Sequence, residues 1–430
     1  METVLAQVPL PRMVRVRQRF PGRTAPWDPA PFARDLRARA ERGDLGPGKS
    51  IAIAVGSRGI ENLEPIVRMV AQTVRAAGSE PFLVPAMGSH GNATAEGQAS
   101  VLRSLGLGKL EAEGVPIRSS METVLLGESA SGVPVYTDAT ALAADGVIVV
   151  NRVKPHTSFR GDHESGLLKM LVIGLGKQKG AELCHRLGFG TMARNLREMS
   201  AVVLAHQKVL FGVAILENAH HNTERIEIVE PDAFPTREAE LLKEARSLLP
   251  RIYPNPIDVL VLDEIGKDIS GTGFDPNLVG RFHNPHAWDI GGIAPEITRM
   301  VALGLTPGSH GNANGLGNLD VVSRRLVDAM DPETTYINAL TSSIPVSVKI
   351  PMTQANDRLA IQAAIKMAQI EDWTQVRLVR IRNTLTLGEI EVSENILADF
   401  ADRDELEPLG PARPFAFDPS GHLAPLDPVH

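Results

Sequence analysis

Between residues 151 and 190 the chain reads NRVKPHTSFRGDHESGLLKMLVIGLGKQKGAELCHRLGFG, its densest run of reactive side chains. Lys169 lies inside an apolar run, flanked by Leu167, Leu168, Met170 and Leu171. Such a lysine either snorkels to water or sits in a dry pocket, where its pKa falls and its amine becomes a nucleophile or ligand. His185 follows sixteen residues later. His156, His163 and His185 with Asp162 invite a zinc reading, although their spacing matches no common ligand motif. The GLGKQKG stretch lacks the first glycine and the Ser/Thr of a phosphate loop, which leaves Lys177 and Lys179 as point charges for a phosphate.

Three apolar runs upstream each end in polar residues. AIAVGSR delivers Arg58, FLVPAMGSH delivers His90, and VIVVNRVKPH delivers Lys154 and His156. In open parallel α/β sheets, ligands gather outside the carboxyl ends of the strands. A guanidinium that grips a carboxylate, with two imidazoles that exchange protons near neutral pH, suits an anionic substrate. One strand-end histidine is more often a turn residue than a catalyst. Three such ends on one edge favour a site. The string GSHGNA at 88–93 recurs at 308–313. His310 in the second copy is read as part of a glycine-rich turn that allows close backbone approach, with contact to substrate as the other reading.

These residues need a frame. SIAIAV (50–55) is a buried strand, and Leu63, Ile66, Val67, Val70 and Val74 recur at helical spacing until Gly78. PFLVPAMG is a second strand, Val101, Leu102 and Leu105 mark a helix, and DGVIVVNRV is a third strand. Helices are expected at 191–206 and 236–249. The prolines of PRIYPNPID mark a boundary near residue 250. Beyond it come a strand in IDVLVLDEIG, helices near 293–303, 318–330 and 356–369, and a late strand in WTQVRLVRIRN. The proline-rich tail from Leu406 is expected to lie over the surface or fray. The expectation is two α/β domains with mostly parallel sheets, 1–250 and 256–430, with the ligand cleft between them.

Composition narrows the field. Of 430 residues 43% are hydrophobic and 22% charged, ordinary for a globular chain. A net charge of −7 and 4% aromatics give no basic face or stacking platform for nucleic acid. The one cysteine, Cys184, excludes an internal disulfide and is read as a buried inert thiol. No membrane-length apolar run or signal peptide is evident, so a cytoplasmic location without membrane attachment is expected. His220 and His221 read as solvated turn residues.

The order Arg58, GSHG, KPH, a lysine and a histidine resembles the nickel-pincer lactate racemase family, over most of the chain. The resemblance implies an isomerase that racemises or epimerises a 2-hydroxy acid by reversible hydride transfer to a nicotinate-derived nickel-pincer nucleotide. It implies Lys169 as the covalent attachment point, His185 as the nickel ligand, His90 and His156 as the acid/base pair, and Arg58 as the carboxylate-binding residue. It also implies dependence on separate cofactor-building enzymes. Three features depart from the family pattern: the stretch from the KPH histidine to the lysine, HTSFRGDHESGLLK, is longer, Val55 stands where the family has an acidic residue, and DPNLVGRFHNPH replaces its second-domain substrate-binding residues. Lys267, Asn277, Arg281 and His283 are the substitutes on offer, pointing to a substrate larger or more polar than lactate. Two other readings stay open: a divalent-metal hydrolase or lyase using His156, His163 and His185, and a non-catalytic small-anion binding protein.

Overall fold

The computed structural model describes residues 2–289, 292–401 and 404–429. The chain folds as two units, Gly22–Leu248 and a second made of Met1–Pro21 with Leu249–His430. The first strand, β1 (Met13–Gln18), belongs to the second unit. Residues 1–21 are therefore not part of the expected 1–250 domain. Met13, Val14 and Val16 are buried, and β1 gains antiparallel partners on both sides only in the sheet made by the end of the chain.

The first unit holds β2 (Ser50–Val55), β3 (Glu80–Pro85), a hairpin of β4 (Thr123–Glu128) and β5 (Pro134–Asp138), β6 (Gly146–Arg152), β7 (Val209–Glu217) and β8 (Thr223–Val229). Its main sheet runs in the order β3-β2-β6-β7-β8, parallel except for β8. Side-chain alternation divides β2 between two cores. Ile51, Ile53 and Val55 pack with Ile66, Val67 and Val70 of helix α1 (Leu63–Ala76). Ala52 and Ala54 face Leu168, Leu171 and Phe159 on the other side. Two covered faces explain the continuous apolar reading of these strands. The chain leaves β2 toward β3 and returns on the other side as β6, so the switch point lies between β2 and β6.

The second unit adds β9 (Ile257–Ile265), β10 (Ile297–Leu305), β11 (Val321–Ser323), β12 (Met352–Gln354), β13 (Leu378–Ile381), β14 (Glu389–Ser393) and β15 (Leu406–Pro408). Its mixed sheet runs β12-β11-β10-β9-β13-β14-β1-β15. The expected helix at 293–303 is strand β10, because Met300–Leu303 are buried in a parallel sheet and show no strand alternation. The expected helix at 318–330 is β11 followed by a short helix, Arg324–Asp328. Among the described residues no helix is long and apolar enough to cross a membrane.

The tail does not fray. Leu423 and Leu426 are buried, the Arg380 guanidinium donates to Ala424 O at 2.6 Å, and Leu426 N donates to Asp263 at 2.7 Å. Arg380 and Asp263 themselves form a buried ion pair at 2.7 Å. Replacing Leu423 with Ala should cost about 2–4 kcal/mol of the second unit's stability in urea unfolding. A cost near zero would restore the frayed-tail reading.

Candidate active site

The carboxyl ends of the three neighbouring strands β3, β2 and β6 carry the polar residues singled out in the sequence. After β2, Ser57 Oγ is hydrogen-bonded to Nδ1 of His90, which follows β3. After β6, backbone bonds from Lys154 N to Ser165 O (3.0 Å) and back (3.2 Å) close a loop over 154–165. Glu164 anchors that loop from beneath. Its buried carboxylate accepts from His156 N at 2.6 Å, pairs with Arg160 at 3.6 Å and accepts from Arg246 at 2.7 Å. The His156 ring lies 4.4 Å from that of Phe159, and Ser158 N donates to its Nδ1 at 3.0 Å. A neutral His156 therefore carries its hydrogen on Nε2.

From the closed loop the chain enters a helical turn, α2 (Leu167–Lys169), that widens over Met170–Gly174. Glu238 of helix α5 (Phe234–Ser247), reached later in the chain, accepts from Leu168 N at 2.9 Å and so satisfies a donor that the helix start leaves open. Gly166 permits this approach, since a Cβ there would stand 2.5 Å from Glu238 Cδ. Burial raises the Glu238 pKa to about 7 against these backbone bonds. The turn ends in Lys169, whose amine is within electrostatic reach of Arg58 and Lys154. Helix α3 (Lys177–Arg186) then presents His185, and α4 (Met192–His206) follows it.

Positive charge dominates the electrostatics. The Lys169 pKa is lowered to about 7, first by burial and then by the Arg58 and Lys154 charges. His156 is held well below the usual imidazole range, by burial first and then by Lys169, His185, Lys154 and Arg160. Burial, then Lys169, lowers His185 too. Arg58 is open to solvent on one side, yet the protein around its guanidinium lowers its pKa, with Arg152 adding to the effect. Several of these cations have a carboxylate of their own: Arg152 pairs with Glu217, and Arg160 and Arg246 share Glu164. Among the described residues no carboxylate lies within ion-pair distance of Arg58 or Lys169. An anion is what this edge lacks.

Other expected residues lie elsewhere. Lys177 is fully buried and its amine already meets Asp138 at 3.0 Å, Pro85 O at 2.5 Å and Gln98 at 2.9 Å. Buried and paired with Asp138, it is closed to a phosphate; Lys179 is exposed, its amine 5.5 Å from the Tyr136 ring centroid. His163 turns toward Glu238, 3.7 Å away, and among the described residues no three His, Cys, Asp or Glu side chains gather as a metal set. The three-histidine zinc reading fails on that geometry. Cys184 is buried with its pKa pushed up to about 12 by that burial, an inert thiol as read.

In the second unit, Arg281 donates to Ile297 O at 3.3 Å and Thr298 O at 3.0 Å, with Asp320 at 3.2 Å. These groups mark the amino-terminal end of β10, opposite the edge where ligands gather, so Arg281 ties the sheet rather than binding substrate. Lys267 and His310 do follow carboxyl ends, those of β9 and β10. His283 is buried and its pKa is lowered to about 4 by burial and then by Lys267. The Asn277 amide donates to its neighbour Asp275 at 2.8 Å. The two GSHGNA stretches differ in backbone. His90 is extended (φ −65°, ψ 168°), whereas His310 is left-handed (φ 48°, ψ 44°). Gly311 allows the close approach expected of a turn, since a Cβ there would stand 2.6 Å from Asp331 Cβ.

The residues present fit the cofactor that the family resemblance implies. Lys169 offers an amine that is largely neutral at pH 8, and His185 Nδ1 is buried without a hydrogen-bond partner among the described residues. Sequence reasoning missed Ser57, Ser158 and Glu238. Only Ser57, beside Arg58, carried a positional signal.

The depressed Lys169 pKa has a thermodynamic consequence. The folded value of about 7 lies below the ordinary 10.5, so the cost of charging this amine is fully present below pH 7 and is relieved as pH rises toward 10.5. Lys169→Met should therefore stabilise the cofactor-free protein by on the order of 1 kcal/mol at pH 6, with the gain shrinking toward pH 10. Urea unfolding at both pH values measures it, and a loss of stability at pH 6 would contradict the electrostatics.

No protein-family model and no curated protein matches the chain. Solved structures similar to it include two of low identity. A structural-genomics crystal structure of a protein from Thermotoga maritima is 15% identical, with a TM-score of 0.47 over 65% of this chain and 71% of that one. The lactate racemase apoprotein from Thermoanaerobacterium thermosaccharolyticum is 13% identical, with a TM-score of 0.45 over 86% of this chain and 93% of that one.

Proposed function

We propose that this protein is a racemase or epimerase of a 2-hydroxy acid that works with a covalently held nickel-pincer nucleotide. The observation that carries the reading is Lys169: a buried amine with a pKa near neutrality, within electrostatic reach of Arg58, of His156 and of His185, whose Nδ1 has no hydrogen-bond partner among the described residues. Lys169 would hold the nucleotide through its amine and His185 would ligate the nickel. When bound, the group supplies an acceptor for the hydrogen on the carbinol carbon.

The chain's own residues do the rest. Arg58, without a carboxylate of its own among the described residues, receives the substrate carboxylate. His90, with Nδ1 engaged by Ser57, presents its other ring nitrogen to the substrate hydroxyl and takes its proton. His156, neutral with hydrogen on Nε2, donates a hydrogen bond to the substrate oxygen, and the proton held by His90 returns to that oxygen when the carbinol re-forms. For the opposite enantiomer His156 must itself take a proton at Nε2, which requires hydrogen on Nδ1 and hence opening of the Ser158 contact. The clustered cations stabilise the anionic substrate, and Phe159 and Phe189 beside the His156 ring limit the entry of water.

The test is peptide mass spectrometry with nickel analysis on protein produced together with cofactor-building enzymes. The expected result is a nicotinate-derived adduct on the peptide containing Lys169, together with nickel, and none in Lys169→Arg. Interconversion of 2-hydroxy acid enantiomers by protein with an unmodified Lys169 would overturn the proposal.

A further inference from the structure

The loop that carries His90 has an unfavourable backbone. Gly88, Gly91, Asn92 and Ala93 all have positive φ, between 52° and 64°, and two of them are not glycine. A side chain from the helix Ala95–Leu102 holds it. Gln98 is fully buried, and its amide nitrogen donates to Gly88 O at 2.8 Å and to His90 O at 3.2 Å. Its oxygen accepts from the Lys177 amine at 2.9 Å. Because an ammonium can only donate, Lys177 dictates which way the Gln98 amide faces, and the NH2 must point at the two carbonyls. Asp138, also fully buried, holds the charge of Lys177 at 3.0 Å, and its other oxygen caps the helix Ala139–Leu142 through Ala141 N at 2.8 Å.

We propose that Gln98, oriented by the buried Lys177–Asp138 pair, is a positioning residue for His90: it clamps the carbonyls on either side of the loop and so keeps the imidazole against Ser57. Three groups distant in sequence meet here around the buried Lys177 amine, which hydrogen-bonds Gln98 and Pro85 O and pairs with Asp138, an arrangement the phosphate-binding reading of Lys177 could not contain. A buried lysine fixes an amide, the amide fixes a strained loop, and the loop aims the ring. The inference deepens the reading of His90 as the proton-accepting residue, but its test needs neither cofactor nor substrate, so each can fail without the other.

The test is histidine-ring nitrogen NMR on the full cofactor-free chain, with the His90 signals assigned through His90→Gln. Gln98→Glu keeps the size and the acceptor for Lys177 but turns an oxygen toward the two carbonyls. Gln98→Asn is the gentler variant, retaining the amide but withdrawing its reach. In either one, the His90 titration midpoint should move by about half a pH unit or more, as it should in Ser57→Ala. If His90 titrates as in the unaltered protein in whichever Gln98 variant folds, while Ser57→Ala moves it, the positioning role is wrong.

Discussion

An amine withdrawn from water and surrounded by like charge is the costly feature around which the first unit is built. Lys169 lies under the carboxyl edge of a parallel sheet, with Arg58 and Lys154 close enough to depress its pKa further than burial alone. Nothing in packing requires a cation there. The apolar run Leu167–Leu171 would cover the sheet as well with a methionine at its centre. Such a cost, held in place by burial, is what the proposed role of Lys169 as an attachment amine accounts for, since the neutral form of an amine is its nucleophilic form.

The surrounding structure controls that cost. Buried carboxylates take the cations that only need anchoring, Glu217 for Arg152, Glu164 for Arg160 and Arg246, and Asp138 for Lys177. Glu238 stabilises the start of the turn that carries Lys169. Once these pairs are accounted for, no carboxylate among the described residues is within ion-pair distance of Arg58 or Lys169. The switch point between β2 and β6 puts this residue set where a parallel sheet leaves its ends open.

Much of this was legible in the residues. The short β-branched runs with polar ends place Arg58, His90, Lys154 and His156 on one edge because a doubly covered parallel strand is apolar throughout and its first polar residue marks its end. The same uniformity misled at 293–303, where a buried strand offers no alternation to separate it from a helix. Lys177 looked like a phosphate ligand because a lysine among glycines reads as exposed, and its partners Asp138, Gln98 and Pro85 are 39, 79 and 92 residues away. Arg281 lay within the right loop, but the loop returns to the opposite end of β10. The proline-rich tail read as loose because its anchors, Arg380 and Asp263, are internal residues of other strands.

The most direct measurement is the pKa of Lys169 itself, by carbon and nitrogen NMR of the side chain in cofactor-free protein, assigned through Lys169→Met. A midpoint of about 7 is the value this account predicts. A midpoint near the ordinary lysine value of about 10.4 would mean that the amine reaches water and snorkels, and the site would lose its nucleophile.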